Sequence, residues 1–116
     1  MFSSGVVSTI AGQRTVGYVD GQGTNAGFNS PKGIALTSFG FLVVVDTNNF
    51  MIRLVSPAGD VTTIAGMRTN SVYADGIGTQ ATFPGASGII LSASGHQLLV
   101  CDSSSNSIRM ISTAGN

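Results

Sequence analysis

Two carboxylate and guanidinium pairs hold the residue types best able to do chemistry in this chain. Asp46 lies seven positions before Arg53, and Asp102 lies seven before Arg109. Joined across a turn, such a pair could orient a polar ligand through paired, charge-assisted hydrogen bonds. A strand-end aspartate beside an arginine also ties a hairpin or bridges neighbouring sheets. Because both pairs recur at the same place in a repeated unit, a structural role is the expectation for them, and equally for Asp20 and Asp75, each followed by glycine. His96 is the sole histidine, with no Cys or second His nearby to complete a metal site. Ser-His-Asp catalysis would need a serine oriented by that histidine, and no G-x-S-x-G elbow is present. No catalytic residue, metal ligand set or cofactor is therefore expected.

These residues belong to a repeat. Residues 41–56, FLVVVDTNNFMIRLVS, return at 98–112 as LLVCDSSSNSIRMIS, with Asp46 answering to Asp102 and Arg53 to Arg109, each 56 positions on. VSTIAG at 7–12 returns as VTTIAG at 61–66, and YVDGQGTNAGF at 18–28 as YADGIGTQATF at 73–83. KGIALTSFG at 32–40 is answered by SGIILSASG at 87–95. A period near 55 held through almost the whole length is the pattern of stacked or radially arranged modules.

Composition agrees with that reading. Only 9% of the 116 residues are charged, the net charge is zero, 16 residues are glycine, and the mean hydropathy is +0.34. Such a chain suits short strands buried on both faces and joined by tight turns. Arg14, Lys32, Arg53, Arg68 and Arg109 are scattered singly, so the clustered basic face of a nucleic-acid binder is not expected. No run of about 18 apolar residues appears, so membrane insertion is not expected either. The first residues lack the basic start and long apolar centre of a signal peptide. Cys101, the lone cysteine, lies inside an apolar run and implies no disulfide framework.

In chain order, residues 6–11 read as a strand closed by Gly12. Residues 13–30 read as a long irregular loop in which Tyr18 and Phe28, echoed by Tyr73 and Phe83, are tucked beneath. Strands follow at 33–36, 41–45, 51–55 and 61–65, with the turn at 46–50 using the left-handed tolerance of Asn48 and Asn49. Strands at 88–91, 98–101 and 108–111 repeat all but the last of these. The expectation is an all-β chain of four-stranded antiparallel meanders, arranged as propeller blades.

As a set, TIAG, the ADG-x-G-T-x-A-x-F loop, the P-x-G-I strand, the VVVD or LVCD strand end and N-x-I-R resemble NHL-repeat β-propellers over almost the whole chain. Ala86 in place of Pro31, and Cys101 before Asp102, depart from the pattern. The resemblance implies two blade equivalents: residues 13–66 as the first, 67–116 as a second lacking its outermost strand, and 1–12 as an outermost strand completing a neighbouring blade. Two blades cannot close on themselves without leaving apolar faces in water. A homo-oligomer of three chains giving six blades is the first expectation, and a fragment of a longer propeller the other. Some six-bladed relatives are metal-dependent hydrolases or lyases, but Lys32 and Ser87, which start the inner strands, offer no carboxylate.

Function is then expected on the end of the disc where loops and polar residues concentrate. Phe50, Asn48, Asn49, Lys32, Arg14 and Arg68, with Asn25, Asn70 and Asn106, would form that face, and Phe50 is its anchor because its counterpart Asn106 is polar. By resemblance the chain is a non-catalytic scaffold for a protein or peptide partner. The alternative is a small-molecule-binding or hydrolase/lyase-type propeller with its site in the central channel, and RNA binding ranks third.

Overall fold

The computed structural model describes residues 4–69 and 72–112. Within them the chain is all-β and forms two antiparallel sheets. The first contains β1 (Gly21–Gln22), β2 (Pro31–Leu36), β3 (Leu42–Asp46), β4 (Met51–Val55) and β5 (Asp60–Gly66), in the spatial order β1-β5-β4-β3-β2. The second contains β6 (Ala86–Leu91), β7 (Gln97–Asp102) and β8 (Ser107–Ser112), each beside its sequence neighbour. Short turns after alternating or continuous apolar runs leave each strand little choice but to pair with the one before it.

Each sheet's pleat sorts its residues between two faces. Val43, Val45, Ile52 and Ala35 on one face of the first sheet meet Ile89, Leu98, Val100 and Ala86 of the second, with Phe83 and Ala81 closing the layer. This is the main core. A smaller cluster of Ala26, Val44, Val55 and Val61 lies on the opposite face of the first sheet, packed by Ala11, Phe28 and Leu42. β3 reads as a continuous apolar run because both of its faces are covered in this way.

At Gly33 the backbones of the two sheets come close together. A Cβ there would collide with the Ser87 carbonyl oxygen and come within 3.2 Å of the Gly88 Cα. At its own counterpart Gly88, a Cβ would meet nothing within 4 Å.

Three expectations need correction. Residues 6–11 form no strand: their counterpart β5 is held between β4 and β1, and the chain offers residues 6–11 no such pair of neighbours. Residues 1–3 of the expected outermost strand lie outside the described residues. Next, the left-handed residue of the turn after β3 is Phe50 (φ 59°, ψ 33°) and not Asn48 or Asn49, which sit in a 3₁₀ turn; Asn106 repeats it at φ 55°. Lastly, the loop 13–30 does not stay at one end of the sheet. Gly21–Gln22 pairs along the edge of β5, and Gly23 N donates to Gly59 O (2.8 Å) at the opposite end. In this loop positive φ occurs at Arg14 (71°), Gly23 (57°) and Ser30 (54°), and Gly78 repeats that of Gly23 (55°).

Candidate functional site: two arginine clasps and a loop-rich end

Arg53 sits at the middle of β4, fully buried, and its guanidinium spans the gap between the sheet and the preceding loop. Nη1 donates to Asp46 Oδ2 (2.7 Å) and Gly27 O (2.8 Å); Nη2 donates to Asp20 Oδ1 (2.9 Å) and Val19 O (3.1 Å). The Phe28 ring lies 5.0 Å from the guanidinium carbon, and Nε has no partner among the described residues. Asp46 is fully buried too, and it is saturated: Oδ1 accepts from Asn29 N (2.7 Å) and Oδ2 also accepts from the Asn49 side chain (2.8 Å). A planar fork with several fixed donors can hold two carbonyls and two carboxylates at once; an ammonium cannot.

The second unit builds the same clasp. Arg109 donates to Asp102 Oδ2 (3.2 Å), Thr82 O (2.8 Å), Ala74 O (2.8 Å) and Asp75 Oδ1 (3.0 Å). One substitution shifts one bond. Where the first clasp uses Asn29 N, the second has Pro84 with no N–H, and Gly85 N donates to Asp102 Oδ1 instead (3.0 Å).

The expectation for the aromatics divides. Phe83 is buried and Phe28 half-buried, each against its arginine. Tyr18 and Tyr73, however, are about half exposed and not tucked beneath the loops, each with its ring against a guanidinium. Tyr73 lies 4.4 Å from Arg109, whereas Tyr18 meets Arg68, at 3.8 Å, from the loop that follows β5. The two units are thus linked by a cation–π contact, which at an exposed site contributes about 0.5–1 kcal/mol. Arg68→Ala is expected to lower stability by about that amount in urea unfolding, whereas Arg14→Ala, at the counterpart position with no such ring within the described chain, should change it by less than about 0.5 kcal/mol.

Strand direction places the loop starts, the turns after β3 and β7 and the segment following β5 at one end of the sheets. Asn48 N donates to Asn29 O (3.0 Å), and the Thr47 hydroxyl to Ala86 O (3.0 Å) across the sheets. Arg14, Lys32, Asn48 and Arg68 are exposed there, and Phe50 is half-buried. Asn49 does not belong to this surface: it is buried, donating to Asp46 and to Gly17 O (2.7 Å), because it completes the clasp. Asn70 lies outside the described residues. His96 and Phe39 occupy the short turns at the opposite end, and Phe39 is the more notable of the two as an exposed aromatic that the repeat pattern did not single out. Among the described residues no group of three or more His, Cys, Asp or Glu gathers to hold a metal ion. Among the described residues no helix is long and apolar enough to cross a membrane.

Fold and site together define an all-β protein of two stacked antiparallel sheets whose long loops are braced by buried arginines. No family model matches the chain. A segment of 49 residues, 42% of the chain, is 43% identical to Protein SUPPRESSOR OF QUENCHING 1, chloroplastic, from Arabidopsis thaliana, and covers 5% of that protein. Among solved structures the chain is similar to an auxiliary nutrient binding protein from Bacteroides thetaiotaomicron VPI-5482 (TM-score 0.77, 25% identity, 87% of this chain and 27% of that one). It is also similar to an auxiliary nutrient binding protein from Bacteroides ovatus ATCC 8483 (TM-score 0.77, 27% identity, 89% of this chain and 28% of that one). The chain therefore spans little more than a quarter of the solved chains that it matches, and a far smaller part of the plant protein.

Proposed function

We propose that the chain supplies blades of an NHL-type β-propeller and serves as a non-catalytic scaffold that binds a protein or peptide through its loop-rich end. One observation carries this reading: both arginine clasps spend their charge on the chain's own loops. Arg53 and Arg109 each hold two carbonyls and two carboxylates, which makes the loops rigid and leaves no convergent pair of open charges. A rigid loop platform presenting Arg14, Lys32, Asn48 and Phe50 binds without a large ordering cost. The order of successive antiparallel strands in each sheet, and the stacking of the sheets face to face, support the blade assignment.

The test is a displayed peptide library selected against the purified protein. Binders are expected whose affinity falls at least tenfold in the double variant Phe50→Asn, Lys32→Glu and is unchanged in Phe39→Ser at the opposite end. Asparagine suits the backbone at position 50, since Asn106 holds the same left-handed conformation, so the variant keeps its turn. Binders indifferent to the double variant would remove the loop-rich end from the reading.

A second reading is favoured by the two Bacteroides neighbours described as auxiliary nutrient binding proteins: a propeller that binds a small molecule in its channel. A melting-temperature increase with one member of a panel of sugars, nucleosides or amino acids, insensitive to Phe50→Asn, would select it over the scaffold.

A further inference from the structure

The two ends of the chain bear surfaces whose counterparts are packed together inside it. Strand registers match Ile90, Leu99, Cys101, Ile108 and Met110 of the second sheet to Ala35, Val43, Val45, Ile52 and Leu54 of the first. The residues of the first sheet face the core, with Ile52 fully buried; of those in the second sheet, Ile108 is 71% exposed, and Ile90 and Met110 are similarly open. At the other end the relation reverses. Ile89, buried against the first sheet, corresponds to Ile34, which is 60% exposed on that sheet's outer face. An apolar area of this kind on each end marks an interaction surface.

A groove of about 450 Å³ runs beside β8, lined by Ile108, Met110, Tyr73, Asp75 and Ile77 with Ile64 and Ala65 at its floor. In the first sheet the equivalent place, between β4 and β1, is filled by β5. Residues 5–12, GVVSTIAG, repeat GDVTTIAG at 59–66 with six of eight residues identical, and both segments end in a glycine of positive φ, 113° at Gly12 and 91° at Gly66. Residues 8–11 already line the outer face of the first sheet with Phe28, Leu42, Val44 and Val55. That is the relation of Ile64 and Ala65 in β5 to the second sheet. The segment is in position, and it lacks a sheet.

We propose that copies of this chain join head to tail. Residues 5–12 of one copy enter the groove beside β8 of another as an antiparallel strand, while the open face of that copy's second sheet seats on the outer face of the first sheet. The register of β4 with β5 sets the pairing: Val7 opposite Ile111, Ser8 opposite Met110, Thr9 opposite Arg109 and Ala11 opposite Ile108. Thr9 then meets Asp75 as Thr63 meets Asp20 Oδ1 (2.9 Å), which explains why the Asp75 side chain is 81% exposed against 49% for Asp20. Arg14 reaches Tyr73 of the other copy as Arg68 reaches Tyr18. Gly12 N is bonded to Gly23 O (3.1 Å) beside the first sheet, so the inserted strand comes from another molecule. Such an interface uses two different patches and closes into a ring or runs on as a filament. It stands on the repeat geometry and not on the scaffold reading.

Light scattering of the full chain is expected to give a fixed multiple of 11.8 kDa, independent of dilution through the micromolar range. Gly88→Val is the selective variant. Its side chain meets nothing within the single chain, yet the counterpart Gly33 is closed by the opposing backbone, so the variant should keep its circular dichroism spectrum and fall to 11.8 kDa. A second variant reads the register: Ser8→Cys with Met110→Cys, in a Cys101→Val background matching Val45, should oxidise to disulfide-linked multimers, since opposed residues in an antiparallel pair lie within disulfide reach. Replacing the second site by Ile108→Cys should not. A monomeric wild-type chain, an oligomer unaffected by Gly88→Val, or a Ser8→Cys, Met110→Cys disulfide formed within one chain would each overturn the proposal. A monomer would assign the groove to a different chain or to a continuing polypeptide.

Discussion

Arg53→Ala is expected to destabilise the protein by about 3–5 kcal/mol, a large part of the 5–15 kcal/mol by which such domains are stable. The loss comes less from the missing attraction than from what is left behind. Asp46 would remain fully buried with its Arg53 partner gone, and the Gly27 carbonyl would lose its donor. The bond to Asp20 contributes little by comparison, because that carboxylate is half open to water. Arg109→Ala should cost less, since Arg109 is slightly exposed, its bond to Asp102 is longer, 3.2 against 2.7 Å, and Asp75 is almost wholly solvated. Arg53→Lys should recover only a small part, since one ammonium cannot reach both sides of the gap. Urea unfolding of Arg53→Met, of Asp46→Asn and of the double variant gives the coupling directly. If Arg53→Ala cost less than about 1 kcal/mol, the clasp would not be what secures the loop.

The second large effect falls on a residue with no side chain. Gly66 ends β5 with φ 91°, and a Cβ there would collide with the Phe50 carbonyl oxygen and approach the Met51 Cα at 2.8 Å. Both obstacles are backbone and cannot rotate away. Gly66→Ala is expected to cost on the order of 3 kcal/mol, combining left-handed strain of roughly 1–3 kcal/mol with displacement of the turn after β3. Gly12 has the same kind of φ, 113°, but only the Phe28 ring lies near its Cβ direction, at 3.6 Å. Gly12→Ala should therefore cost about 1 kcal/mol in a single chain. In a head-to-tail assembly its cost should rise toward that of Gly66→Ala, and thermal unfolding above and below the assembly concentration would read the difference.

Much of the fold was legible because the chain repeats itself. A strand pattern stated twice, with turns at matching places, prescribes two similar meanders, and short connections oblige neighbouring strands to pair. The pairing of Asp46 with Arg53, and of Asp102 with Arg109, could be read for the same reason: register across a tight turn follows from sequence spacing. By contrast, Asp20 and Asp75 looked like turn residues, and their bonds to the arginines 33 and 34 positions away carry no local signal. Asn49 looked like surface for a similar reason, since nothing in DTNNF distinguishes the buried asparagine from the exposed Asn48.

By itself, then, the sequence determined the all-β class, the pairing of β2 through β5 and of β6 through β8 with their sequence neighbours, and the ties of Asp46 to Arg53 and of Asp102 to Arg109, because these depend on periodicity and short-range spacing. The tertiary structure decided which of two equivalent positions is buried. Ile52 and Ile108 occupy the same place in the repeat, yet one is sealed in the core and the other faces water. Gly33 and Gly88 divide in the same way, one closed by a neighbouring backbone and one open. Burial depends on the presence of a neighbour in space, and a repeat has one neighbour fewer wherever the stack ends.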